Sequence, residues 1–200
     1  SFKPIKVGTD LWVVPSWCEP ADSNSRNIRL DPGLAFGTGT HATTHMCLKW
    51  LSEQQLAGQR VLDYGSGSGI LAIAAIMAGA SHADAVDIDP FAVSACEDNA
   101  RRNHFNGKSI DTVMDAYLPQ DLPQTTNSYD LVIANILAEV ILDLVDELSA
   151  HVAPNGHLLL TGILDQQADK VVAAYEAEFN FTRQYQDHWV LLVGQRSSTT

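Results

Sequence analysis

The sequence predicts an α/β domain, a mostly parallel sheet with helices on both faces. Three observations point there. From Thr43 onward, short apolar runs alternate with longer segments whose apolar residues fall at helical spacing. Strand, helix, strand, helix in regular order builds a parallel sheet with right-handed crossovers. A glycine loop, Gly65-Ser66-Gly67-Ser68-Gly69, separates the first of these strands from its helix, and an acidic residue, Asp87, closes the next strand.

Taken in order, residues 1–32 are rich in Pro, Trp and turn formers, with a short apolar run at Leu11–Val14. They read as an edge hairpin or an extended segment leading into the domain. Met46, Cys47, Trp50 and Leu51 predict a helix over His45–Leu51, followed by a turn at Ala57-Gly58. Arg60–Tyr64 is a short buried strand that runs into the glycine loop. Ile70–Ala78 is an apolar helix closed by Gly79, and Ala83–Ile88 is the second strand. Pro90 opens a helix to about Asn103, because a proline in the first turn has no N–H to waste. Ile110–Val113 is a third strand and Tyr129–Ala134 a strongly apolar fourth. Leu137–His151 reads as one amphipathic helix, Pro154-Asn155-Gly156 as a turn, and His157–Thr161 as a fifth strand. A helix over Gln166–Glu178 and closing strands at Phe181–Gln186 and His188–Gly194 complete the pattern. Sheets of this kind bind ligands outside the carboxyl ends of their strands. Four segments share that rim: Gly65–Gly69, Asp87–Asp89, Asn135–Leu137 and Thr161–Leu164.

Composition narrows the function. Two hundred residues fit one domain, and a hydrophobic fraction of 46% suffices for a core. Twelve Lys and Arg against 24 Asp and Glu give a net charge of −12, which repels phosphate backbones and anionic lipid. No direct nucleic-acid or membrane partner is expected; a cationic protein or cofactor fits better. Cys18, Cys47 and Cys96 are odd in number and far apart, so neither a disulfide framework, a zinc site nor any other metal is expected, and a reducing cytoplasm is the default. No run of about 18 apolar residues and no signal peptide is visible. The chain opens on Ser1 rather than Met and is expected to be a piece of a longer protein, while Ser197–Thr200 reads as a disordered tail.

The glycine loop discriminates between cofactors. A dinucleotide fingerprint needs Gly or Ala three residues after its second glycine, but Ile70 stands there. The loop also lacks the lysine of a P-loop, which disfavours a nucleoside triphosphate. A loop of the form GxGxG suits an adenosine ligand without pyrophosphate, and S-adenosyl-L-methionine is the candidate. Asp87 would accept hydrogen bonds from its ribose, and its amino-acid part would lie near Gly65, Gly67 and Gly69. Asp63 either helps to hold the ammonium group or caps amides of the loop itself.

Several runs together, LDPGLAFGTGTHATT, VLDYGSGSGILAIAA, VDIDPFAV, NILA and TGIL, resemble the PrmA-type methyltransferases, which modify amino groups of the large-subunit ribosomal protein L-eleven. The resemblance extends from about Leu11 to Gly194. The glycine loop alone marks the wider methyltransferase superfamily; AFGTGTHATT followed by NILA is far more specific. The resemblance implies a class I S-adenosylmethionine-dependent methyltransferase (Rossmann-like) fold with seven strands, the last antiparallel. It implies S-adenosyl-L-homocysteine as product, ribosomal protein L-eleven as protein substrate, and a monomer. Cofactor contacts carry over to Thr44, Gly65, Asp87 and Asn135. Phe36, Gly37, Thr38 and His41 fall in the motif that would cover the cofactor or shape the transfer site. Residues 1–42 then form a linker with its motif loop on the catalytic domain, residues 43–196 the catalytic domain, and the family's N-terminal substrate-recognition domain is absent. Ser66 stands where Cys is common, Ala42 where Pro is common, and the polar stretch Gln120–Ser128 is long.

Methyl transfer from a sulfonium is an in-line displacement on a neutral amine, so the protein mostly aligns reactants. Asn135 can orient that amine through its side-chain oxygen or cap the following helix. His41 is either a general base or a satisfied loop histidine. The four tryptophans read as packing residues, with Trp17 able to line an entrance. Two alternatives remain at this level: a methyltransferase for another protein or small-molecule amine, and a non-catalytic cofactor-binding module.

Overall fold

Strand β4 (Arg60–Tyr64) is the axis of the molecule. Three of its five residues, Val61, Leu62 and Asp63, are at most 1% exposed. In the computed structural model, which describes residues 2–31, 39–103, 113–124 and 128–198, β4 pairs in parallel with β5 (His82–Val86) on one side and β7 (Tyr129–Asn135) on the other. Beyond β5 lies β6 (Val113–Tyr117); beyond β7 lie β8 (Val152–Leu164), β10 (Trp189–Arg196) and β9 (Phe179–Gln186). The order is β6-β5-β4-β7-β8-β10-β9, with β10 antiparallel to both its neighbours. The chain reverses its direction of travel across the sheet between β4 and β7. Their carboxyl tips diverge there, and the divergence opens a crevice.

Each face of the sheet carries its own core. Val61, Ala83, Ala85, Leu131, Ile133 and Leu159 point to one face, beneath α1 (Ala42–Ser52), α2 (Ile70–Met77) and α3 (Pro90–Arg102). Leu62, Val86, Val132, Ala134, Leu158 and Leu160 point to the other, against α4 (Ala138–Asp143), α5 (Val145–His151) and α6 (Ala168–Tyr175). Strands buried on both faces read as continuous apolar runs, which is why β4 and β7 are plain in the sequence. Helix α2 is apolar all round because it is covered all round, by the main sheet and by a small front sheet. All three cysteines are free. No helix among the described residues is long and apolar enough to cross a membrane.

Four expectations need correction. The front segment is more than a hairpin: β1 (Ile5–Val7) and β2 (Leu11–Pro15) are antiparallel, and a third strand, β3 (Arg26–Leu30), joins β2 in parallel. The third strand of the main sheet is Val113–Tyr117 rather than Ile110–Val113; residues 110–112 lie outside the described residues. It is an edge strand with no fully buried residue, so it carries no apolar run to read. The helix over Leu137–His151 is two helices broken at Leu144, whose φ of −103° and ψ of 19° leave the helical region. Pro154-Asn155-Gly156 is not a turn ahead of the fifth strand, which runs from Val152 to Leu164. It is a bulge inside β8, where Val152 and His157 pair with Tyr129 and Leu131, and Asn155 takes a φ of 61°.

Candidate active site

The crevice has a volume of about 1050 Å³, at the upper end of small-molecule sites. The glycine loop forms its floor. Gly65, Gly67 and Gly69 all adopt positive φ (83°, 53° and 83°), a region costly for residues with a Cβ. The N–H groups of Gly65 and Ser66 both donate to the Val86 carbonyl, at 2.7 and 2.9 Å, so the loop folds over the tip of β5.

Asp87 locks this arrangement. Its Oδ2 accepts from Gly67 N–H at 2.8 Å and its Oδ1 from Asp89 N–H at 3.0 Å. A carboxylate has about four lone-pair positions, so capacity remains for a ligand's hydroxyls. Among the described lining residues Asp87 alone carries a permanent charge, and Lys and Arg are absent. The rest of the wall is apolar or neutral: Ile70, Leu71, Ile88, Ile136, Leu137, Val140 and Trp189, with Thr40, Thr43 and Thr44. Such a pocket favours a cationic, ribose-bearing ligand over a polyphosphate.

Asn135 ends β7 and faces the crevice. Its Nδ2 donates to Thr44 Oγ1 at 3.2 Å, which leaves the oxygen as the end presented to a ligand. The alternative, a cap on the next helix, is not what forms: α4 has Leu137 as its cap residue and no side-chain cap. His41 caps α1. Its Nδ1 accepts from Thr43 N–H at 3.3 Å and lies 2.8 Å from Thr43 Oγ1. The same ring meets Trp189 edge-on, with centroids 5.0 Å apart. Phe36, Gly37 and Thr38 lie outside the described residues.

Asp63 and Gly69 stand behind the wall rather than on it. Asp63 is 1% exposed; its Oδ2 accepts from Ala72 N–H in the first turn of α2 at 3.2 Å, and its Oδ1 has no partner among the described residues. Burial pushes its carboxyl up to about 7, the Ala72 amide opposing and the charge of Asp87 adding to the rise. Gly69 packs on Cys96, where a Cβ would sit 2.5 Å from Sγ.

Sequence reasoning gave Trp189 no place in the site, and it set Ile136 and Gly162 on the strand-tip rim without giving either a role. Trp189 reaches the wall from the first position of β10, whereas Trp17 is 62% exposed on the turn after β2 and takes no part in it. Ile136 is wedged between two glycines. A Cβ on Gly65 would strike its side chain, and a Cβ on Gly162, whose φ is 87°, would strike its carbonyl oxygen. A glycine inside the apolar run of β8 was the available signal, since such glycines mark close backbone approach.

A sequence model of the family described as ribosomal protein L11 methyltransferase (PrmA) matches residues 1–197. The chain belongs to this family. A ribosomal protein L11 methyltransferase from Hahella chejuensis is 46% identical over 196 residues, which is 98% of this chain and 65% of that protein. The chain therefore spans about 65% of the length of this PrmA relative. The crystal structure of a ribosomal protein L11 methylase from Lactobacillus delbrueckii subsp. bulgaricus superimposes with a TM-score of 0.82 at 34% identity, covering 98% of this chain and 99% of that one. An S-adenosylmethionine-dependent methyltransferase from Mesorhizobium loti, at 13% identity and a TM-score of 0.58, covers 80% of this chain and 100% of its own; it shows the fold alone. The PrmA domain thus has the class I methyltransferase fold, and its crevice lies at the strand tips between β4 and β7.

Proposed function

We propose that this PrmA-family chain binds S-adenosyl-L-methionine in the crevice and transfers its methyl group to amines of ribosomal protein L11, both lysine side chains and the N-terminal amine, releasing S-adenosyl-L-homocysteine. One observation carries the reading: a glycine loop tied to Asp87 in an apolar pocket without a single described cation. Residues 43–196 form the catalytic unit and residues 1–42 lead into it. The setting is cytoplasmic, the enzyme works as a monomer, and neither nucleic acid nor membrane takes part.

The donor set fits this cofactor. Asp87 is free to take ribose hydroxyls, the apolar wall of Ile70, Leu71 and Ile88 suits an adenine, and Asp63 places a buried, half-satisfied carboxylate behind the loop. Thr44, Gly65 and Gly67 line the same space. When bound, the sulfonium supplies an activated methyl group that leaves behind a neutral thioether.

What remains for the protein is to present a neutral amine in line with that methyl. A lysine amine has a reference pKa of about 10.4 and is mostly protonated in water. The apolar rim of Ile136, Leu137 and Val140 disfavours the charged form and lowers that value. Asn135 Oδ1 then accepts an amine hydrogen and aims the lone pair; Thr44 fixes the rotamer by holding Nδ2. His41 has its Nδ1 engaged at the helix cap, so its ring braces the wall together with Trp189.

Calorimetric titration with S-adenosyl-L-methionine and with NAD tests the cofactor; NAD binding without a response to S-adenosyl-L-methionine overturns the reading. Mass spectrometry of ribosomal protein L11 after incubation with the full-length enzyme should show gains of whole methyl units. Asn135→Ala should reduce turnover far more than unfolding stability, and unchanged turnover removes Asn135 from the mechanism.

A further inference from the structure

Helix α3 buries a polar side chain where an inward face is normally apolar. Its buried residues are Ala92, Cys96 and Asn99. Asn99 is 1% exposed, and an amide so deep must be fully bonded to be tolerated. Its Nδ2 donates to the Ser68 carbonyl in the glycine loop at 2.9 Å. Its Oδ1 accepts from Asp31 N–H at 3.3 Å and from Arg102 Nη1 at 3.0 Å. Arg102 also pairs with the Asp31 carboxylate at 3.0 Å.

One turn further along, Asn103 meets the free edge of β3. Its Oδ1 accepts from Arg29 N–H and its Nδ2 donates to the Arg29 carbonyl, both at 2.7 Å, as a neighbouring strand would. Asn103 therefore holds the front sheet without touching the loop. Asn99 holds both at once: a single buried amide joins the glycine loop to the backbone leaving the front sheet at Asp31.

We propose that Asn99 is a positioning residue for the cofactor loop. By fixing the Ser68 carbonyl it sets the path of the loop between Gly67, which Asp87 holds, and Gly69, which starts α2. This rests on the reading of the crevice as the S-adenosyl-L-methionine site, and it adds a support outside every motif of the loop.

The test is Asn99→Asp in the full chain, beside Asn103→Ala. Aspartate keeps the acceptor for Asp31 and Arg102 but cannot donate to Ser68. Loss of that one hydrogen bond should weaken S-adenosyl-L-methionine binding by about 3- to 10-fold, with kcat at saturating cofactor within about twofold, as uniform loss of binding predicts. Asn103→Ala should lower the melting temperature and leave cofactor affinity unchanged. Amide exchange measured without ligand should quicken across Ser66–Ile70 in Asn99→Asp and not in Asn103→Ala. Equal affinity of Asn99→Asp and wild type, or equal loop exchange in the two variants, overturns the proposal. Should Asn99→Asp fold poorly, Asn99→Ser removes the reach without adding charge and is read the same way. If wild type fails to bind S-adenosyl-L-methionine, the reading of the crevice falls, and the exchange rates alone still decide Asn99.

Discussion

Replacing Asp63 with asparagine removes a charge from a place that water does not reach. The wild-type carboxyl accepts one amide, from Ala72, and its other oxygen is unpaired among the described residues. Burial raises its pKa to about 7 in the folded protein, against about 3.9 in an unfolded chain. The folded value lies above the unfolded one, so folding favours the protonated form. Below about pH 4 both states hold the proton and the site costs nothing. Between about pH 4 and 7 stability falls by about 1.4 kcal/mol per unit, and above pH 7 the whole deficit, about 4 kcal/mol, is present. Asparagine can still accept from Ala72 and never ionises. The variant should therefore gain about 1–2 kcal/mol on the wild type at pH 5 and about 4 kcal/mol at pH 8. Any fixed cost of the new amide cancels between the two pH values, which leaves a difference of about 2–3 kcal/mol. Urea unfolding of both proteins at the two pH values reads it directly. A stability difference that does not grow with pH refutes the account of Asp63 as a buried, under-partnered acid.

Asp87→Ala removes the acceptor of Gly67 N–H and the carboxylate proposed to meet the ribose, so cofactor affinity measured by calorimetry should fall about 10- to 100-fold; wild-type affinity would remove Asp87 from the site. His41→Asn keeps a good helix cap and discards the imidazole. Turnover should stay within a few-fold; a loss of about 100-fold or more with an altered pH profile would make His41 a general base after all. Gly162→Ala forces a Cβ onto the Ile136 carbonyl at a φ of 87°. It should cost at least about 1–2 kcal/mol of stability and depress kcat through the displaced Asn135 turn; a variant with unchanged turnover would show that the Gly65–Ile136–Gly162 wedge does not set the site.

What the sequence displayed and what it hid divide along one physical line. The glycine loop, Asp87 and the strands β4 and β7 were legible because each depends on local demands: positive φ at three glycines, an acid at a strand tip, apolar runs buried on both faces. The side chains that turn those pieces into a site depend on distant partners. Trp189 meets His41 across the whole chain, Asn135 finds Thr44 ninety-one positions away, and Asn99 reaches Asp31 sixty-eight positions back. Nothing periodic marks such residues. A tryptophan at the start of a strand and an asparagine in a helix look like ordinary packing and ordinary surface. The misplaced elements follow the same rule: β6 and the break at Leu144 lie on half-buried ground, where the pattern of apolar residues no longer dictates where a segment stops. The glycine loop can therefore be read from its own residues, but what supports it cannot. Its contacts from α3, the Asn99 hydrogen bond to the Ser68 carbonyl and the packing of Cys96 on Gly69, come from a helix that lies outside the motif of the loop.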